Sequence, residues 1–252
     1  VRSRARLVVA ADGAVRELRS QAPLTLLPRR GTAAGRAQAL TVHLVGSAAT
    51  PLGGDDVELD VVVAAGAHLV LTGVAAAVAL AAPGGSRFAV RLEIGAGASV
   101  QYLPEPTVVT RRADHLTEFT AVLDDAARLR ARDVLVAGRT GEAAGRYRGA
   151  TRVTGPSGPL LVQTQDLDTS PAHLAGRRVL GTEVLVWGAD PEEAAAGPWW
   201  SLTPLARGGS LATAVGTGAV TAQRDLATAV AAHPGWSDAV LGEAEGRSQL
   251  PR

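Results

Sequence analysis

"DVELDVVVAAGAHLVL", residues 56–71, decides how the rest of the chain is read. Val57, Leu59, Val61 and Val63 alternate with Asp56, Glu58 and Asp60, which is the period of a half-buried strand. "AAGA" (64–67) breaks the run with small residues, and "HLVL" resumes it. The shape is strand, tight turn, strand. It returns in "FAVRLEIGAGASVQYL" (88–103), in "EFTAVLDDAARLRARDVL" (118–135) and more loosely in "RYRGATRVTGPSGPLLVQ" (146–163). The turns near Gly66, Gly97, Ala126 and Gly158 recur at about thirty residues, the mark of one supersecondary unit per repeat. Such units are marginal alone and bury a shared face when stacked. The expectation is a mainly β fold of stacked β-hairpins, partly β-helix-like, over about residues 7–168.

Working outward, Val61–Pro83 is uncharged and long enough to span a bilayer. It is mostly Ala and Gly, holds His68 and Thr72, and follows Asp60. Two buried strands joined at "AAGA" fit it better than a membrane helix. The N-terminal stretch has basic residues without an apolar run after them, so a secretory leader is not expected and the location is taken as cytoplasmic.

Upstream, "PLGGDD" (51–56) reads as a tight turn, with Gly53 and Gly54 supplying unusual φ. Downstream, Leu129, Ala131, Asp133 and Leu135 share one face of a strand. Arg128, Arg130 and Arg132 occupy the other, read as a solvated face. Asp133 is thereby a carboxylate on an otherwise apolar side.

Beyond Asp168 the texture changes. About two short helices are expected in the C-terminal third. "ADPEEAAAG" (189–197) carries Asp190 at the N-cap, Pro191 at the first helical position and acids in the first turn. "TAQRDLATAVAAHPG" (221–235) ends at Pro234 and Gly235. "SLATAVGTG" (210–218) between them reads as a strand. Trp199 and Trp200 suit either a partner anchor or a cap on the core, and the tail "GEAEGRSQLPR" is expected to fray. The whole, 1–252, is read as one domain, with a mixed strand and helix part over about 169–240.

Composition narrows the chemistry. The chain has 252 residues, 46% hydrophobic and 19% charged, with a net charge of +1 that points to neither nucleic acid nor anionic lipid. It has no cysteine, which removes disulfides, thiolate metal cages and thiol nucleophiles. It has no lysine, which removes a Walker A loop. No G-x-S-x-G or H-E-x-x-H is present, and "GTGAV" (216–220) lacks the third Gly of a dinucleotide fingerprint. His43, His68, His115, His173 and His233 are scattered. Carboxylates are denser: Asp55, Asp56, Glu58 and Asp60, then Glu105 in "YLPEP", Glu142 in "GRTGE", and Asp166 and Asp168. As a calcium loop "GDDVELD" lacks EF-hand spacing. A two-carboxylate glycosidase on a solenoid scaffold is conceivable, but aromatics make up only 3% and a sugar cleft needs stacking surfaces.

Five stretches in one order resemble the urease accessory protein family UreD, called UreH in some bacteria. They are "APLTLLPRR" (22–30), "PLGGDDVELDVVVAAGAHLVLT" (51–72), "GASVQYLPEPTV" (97–108), "LRARDVLVAGRTGE" (129–142) and "GPLLVQ" (158–163). The resemblance covers about residues 4–168. It implies a non-enzymatic β-rich scaffold that binds apo-urease and a helical accessory protein, UreF. That pair recruits the GTPase UreG, and nickel is delivered to urease through a water-filled tunnel in the scaffold. No tightly bound cofactor is implied, only Ni²⁺ in transit. Matched onto the family's motifs, Asp55 and Asp133 are candidate nickel-path residues, with Glu105 and Glu142 as weaker candidates. Polar family positions are replaced here by Ala77 and Val78, and a Glu by Gln163. The competing reading is a stand-alone β-solenoid that acts on or binds carbohydrate.

Overall fold

The structure is a computed structural model that describes residues 1–29, 39–168 and 170–236. The strands are β1 (Arg2–Val9), β2 (Val15–Arg19), β3 (Leu24–Pro28), β4 (Leu40–Gly46), β5 (Asp56–Val63), β6 (His68–Gly73), β7 (Ala77–Ala79), β8 (Ser86–Ile94) and β9 (Ser99–Leu103). They continue as β10 (Thr107–Val109), β11 (Asp114–Leu123), β12 (Arg128–Ala137), β13 (Arg146–Gly155), β14 (Gly158–Leu167), β15 (Val179–Val186), β16 (Ala195–Ala196), β17 (Trp200–Pro204) and β18 (Ser210–Gly216). The one α-helix among the described residues is α1 (Ala219–Ala231).

The repeat is a solenoid coil. β5 lies in one sheet and β6 in the other, with the "AAGA" turn between them. β5 then pairs in parallel with β8, and β6 with β9. The first sheet runs β14-β13-β11-β8-β5-β1-β2 and the second β16-β17-β18-β15-β12-β9-β6-β4-β3. The mainly β, β-helix-like body expected from the repeats is therefore present. Its units are not hairpins, however: the two runs of a coil bond to the next coil and not to each other. Only the last repeat, β13 and β14, is a true antiparallel hairpin. The alternation in 56–63 already matched either arrangement, because burying one face of a strand does not specify its hydrogen-bonding neighbour. Residues 61–83 are the end of β5, then β6, β7 and their turns, and no described helix is long and apolar enough to cross a membrane.

Between the sheets, Leu7, Leu59, Leu92 and Ala121 meet Val42, Leu69, Val100 and Leu129 in the main core. A second core lies on the far side of the second sheet, where Leu202 and Ala214 pack on Ala222, Leu226 and Val230 of α1. Helix α1 and strand β18 follow the sequence reading. The helix expected over 189–197 is replaced by bends and the short β16. Asp190 does not cap its own chain. It accepts from the Gly209 amide at 2.7 Å and the Ser210 hydroxyl at 3.2 Å, tying its loop to the turn before β18. The expected fraying of 242–252 lies outside the described residues.

The coil turns explain the small residues. Gly66 and Gly97 sit at φ 72° and 65°, and Ala126 occupies the equivalent corner at φ 55°. That left-handed corner costs an L-residue about 1–2 kcal/mol. Ala126 is exposed, so its methyl offers little packing in return. Ala126→Gly is expected to raise the unfolding free energy by about 0.5 kcal/mol, the relief of strain being partly offset by glycine's larger unfolded entropy. The midpoint of urea unfolding checks this, and a lower midpoint would contradict it.

Candidate functional site

The second sheet is interrupted twice on the same side. β6 and β7 are separated by Val74–Ala76, and β9 and β10 by Pro104–Pro106. Pro104 and Pro106 have no N–H for a ladder, so the strand must break at "PEP". The two breaks press together. A Cβ on Gly73 would lie 2.5 Å from the Glu105 amide nitrogen, so only glycine fits there. β12 pairs with β9 by its first half and with β10 by its second, which holds both fragments in line.

A cavity of about 290 Å³ opens between the sheets at these breaks. Asp133, Glu105, His115, Thr117, Tyr102 and Gln163 contribute to its wall. Asp133 accepts from the Tyr147 hydroxyl at 2.5 Å. Burial pushes its carboxyl pKa up, opposed by the bonds from Tyr147 and the Val134 backbone. Its charge also raises the pKa of Tyr102 and Tyr147, both already raised by burial. On the opposite sheet, His115 Nδ1 lies 2.9 Å from Ser86 Oγ and Nε2 lies 3.3 Å from Thr117 Oγ1. Burial lowers the His115 pKa to about 4, against weaker raising by Ser86 and by the Asp114 charge.

His115 carries a pH prediction. Below its ordinary value of 6.5 the imidazole gains a proton in the unfolded chain but not in the fold. Its contribution to stability is therefore lost as pH falls from 6.5 to about 4, by on the order of 3 kcal/mol. Urea unfolding at a series of pH values should show this slope, and His115→Gln should flatten it. An unchanged slope in the variant would place the acid sensitivity elsewhere.

The four candidate carboxylates separate into three places. Asp133 and Glu105 share the inter-sheet cavity. Asp55 is 6% exposed and holds its turn together, accepting from the Leu52 amide at 2.9 Å, Thr50 Oγ1 at 3.0 Å and the Val1 nitrogen at 2.7 Å. Burial raises its pKa, but the hydrogen bonds it accepts oppose this and the net shift is downward. The turn itself is as expected for Gly54, at φ 87°, but Gly53 is required for another reason. A Cβ on Gly53 would lie 2.0 Å from the Ala82 carbonyl oxygen. Glu142 accepts from Arg139 Nε at 2.9 Å, which with its backbone bonds lowers its pKa to about 2, and it lines a separate pocket of about 210 Å³. Of the three positions at which the resemblance implied a polar or acidic residue, Ala77 and Gln163 line the inter-sheet cavity, Ala77 on the sheet of Asp133 and Gln163 on the opposite one, and Val78 does not line it. No group of three or more His, Asp or Glu side chains among the described residues is close enough to hold a metal ion together.

The reading of the arginines changes, and the two alternatives left open for the tryptophans divide between them. Arg128 is exposed, but Arg130 is only 12% exposed and forms an ion pair at 2.5 Å with Glu183, itself 1% exposed. The Glu183 side chain from the neighbouring β15 and the Trp236 ring enclose Arg130, so this face is not wholly solvated. Trp200 packs on the second core, while Trp199 remains 41% exposed beneath the Arg177 guanidinium. The polar chain from Ser86 through His115 to Thr117 went unread in the sequence, since Ser86 on β8 meets His115 and Thr117 on β11 only when the coils stack.

The model of the UreD urease accessory protein family matches residues 2–250. A protein named urease accessory protein UreD 1 from Saccharopolyspora erythraea is 52% identical over 238 residues, covering 91% of this chain and 93% of that one. Proteins named urease accessory protein UreD from a Parafrankia species and from Frankia casuarinae are 38% and 37% identical, each covering 90% of this chain. With a matching family model over nearly its whole length and relatives alike over about nine-tenths of it, the chain belongs to the UreD family of urease accessory proteins.

Proposed function

We propose that this protein serves urease maturation as a non-enzymatic cytoplasmic scaffold. It binds apo-urease and a helical partner of the UreF type, through which a UreG-type GTPase joins, and it passes nickel toward the urease active site. The observation that carries this reading is the inter-sheet cavity with Asp133 and Glu105 in its wall. Carboxylate and imidazole are both acceptable ligands for a divalent first-row ion, and carboxylate holds it less firmly. Sparse carboxylates along a wet channel let an ion move from site to site. The carbohydrate reading has less behind it, because family membership covers nearly the whole chain.

Co-expression of a urease operon with and without this gene tests the role. Urease purified without it should lack nickel and activity, and full nickel loading in its absence would reject the proposal. A hand-off protein must also release its cargo. Titration calorimetry of Ni²⁺ into the isolated protein should give dissociation constants in the micromolar range or weaker, that is, about 8 kcal/mol of binding or less. A one-site nanomolar isotherm would exclude a hand-off.

A further inference from the structure

The pocket of about 210 Å³ lies between the loop that follows β12 and the segment that leads into β15. Five arginines gather around it. Arg177 and Arg178 line it. Arg139 pairs with Glu142 in its wall, and the Arg111 amide donates to the same Glu142, with Arg112 next in the chain. Two carboxylates of the wall, Glu142 and Asp168, stand against them. Glu142 is taken by Arg139, while Asp168 accepts from the Ser170 amide at 2.7 Å and lies 3.4 Å from His173 Nδ1. Arg146 and Asp166 nearby cancel each other. Arg111, Arg112, Arg177 and Arg178 have no carboxylate partner among the described residues. The chain as a whole has a net charge of only +1, so positive charge is concentrated at this end.

That charge is fixed in place and left unneutralised. Arg178 donates to the Gly138 carbonyl at 2.9 Å and to the carbonyls of Ala137 and Arg139, which accept its protons and leave its charge. The Arg177 guanidinium lies 3.2 Å from the centre of the Trp199 ring, and its Nε has no hydrogen-bond partner among the described residues. Stacking holds the guanidinium plane, and a planar fork held this way suits a carboxylate. Trp199 is itself 41% exposed. Trp and Arg together are the residues most enriched where binding energy between proteins concentrates, and a free inorganic anion would leave the indole uncovered. We infer, relying on the assembly proposed above but not on nickel passage, that this basic end is a docking site for an acidic segment of a partner protein. A carboxylate of the partner enters the pocket beside Arg177 and Arg178, and its apolar neighbours cover Trp199.

The chain has no lysine, so Arg177→Lys keeps the charge and introduces its one side-chain amine. A water-soluble carbodiimide joins such an amine, without a spacer, to a carboxylate in direct contact. The variant is assembled with apo-urease and the UreF-type partner, treated, and the coupled peptides are identified by mass spectrometry. Coupling of position 177 to an aspartate, a glutamate or the C-terminal carboxylate of a partner is expected. Coupling only to Asp168 or Glu142 of the same chain, only to a second copy of it, or to nothing while the complex forms, overturns the docking site. Arg177→Glu should weaken association with the same partners about tenfold and flatten its dependence on salt. Arg128→Glu, exposed at the opposite end of β12, should bind as the parent does. Unchanged association of Arg177→Glu overturns the site as well, and the coupling experiment decides if that variant melts early. If Arg177→Glu binds normally while Asp133→Asn still lowers the nickel content of urease, nickel passage stands and only the docking site fails. If neither partner binds the parent chain, the assembly itself falls and the docking site with it.

Discussion

Asp133→Asn is expected to leave the melting temperature within a few degrees of the parent and to keep urease and the UreF-type partner bound, while nickel incorporation and urease activation fall several-fold. Asn retains a carbonyl oxygen to accept the Tyr147 hydroxyl, so the hydrogen bond that orients the side chain survives. The charge does not. Burial already raises the Asp133 pKa, which means that the fold holds the ionised form at a cost. Removing that charge relieves the cost, so stability should hold or rise by about 1 kcal/mol. A cation in the cavity loses its nearest full negative charge in a region of low dielectric, where one charge matters most. Nickel content of purified urease, with melting and co-purification of the variant, separates the two effects. Full activation, or loss of the complex together with stability, would assign Asp133 to the scaffold.

Arg130→Met should be the most destabilising single change on the far face of the second sheet, by about 3 kcal/mol. Glu183 is 1% exposed and its carboxylate takes Arg130 Nε at 2.5 Å and Nη2 at 3.3 Å. The same guanidinium lies 4.5 Å from the centre of the Trp236 ring, adding a cation–π contact. Methionine replaces the aliphatic stem but strands a buried carboxylate. Arg132, whose pKa burial lowers and the Glu183 charge raises, is near enough to recover part of the loss. Pairing the change with Glu183→Leu removes the stranded charge, and the double variant should regain most of the stability. Urea unfolding of the two single variants and the double gives the coupling. A single variant within about 0.5 kcal/mol of the parent would show that the pair contributes nothing beyond an ordinary surface bridge.

Much of this protein could be read along the chain. The period-two runs and small-residue turns at Gly66, Gly97 and Ala126 determined the strands and their spacing, because a side chain's face in a strand depends only on its position. The same alternation placed Asp133 on the inward face among Leu129 and Leu135, and the end of α1 followed from its Pro-Gly stop. Asp190 misled, since an N-cap and a bridge between loops use the same carboxylate, and only the nearby Gly209 amide and Ser210 hydroxyl decide which forms. The partners of β5 and β6 were equally undecided, because hydrogen bonds between coils join residues about thirty positions apart and no local pattern records them. The arginines of β12 all looked solvated, but Glu183 on the neighbouring β15 and Trp236 after α1, both distant in sequence, enclose Arg130. The meeting of Glu105, His115, Gln163 and Asp133 around one cavity is a tertiary fact too: each comes from a different strand or break, and only stacking the coils brings them to its lining.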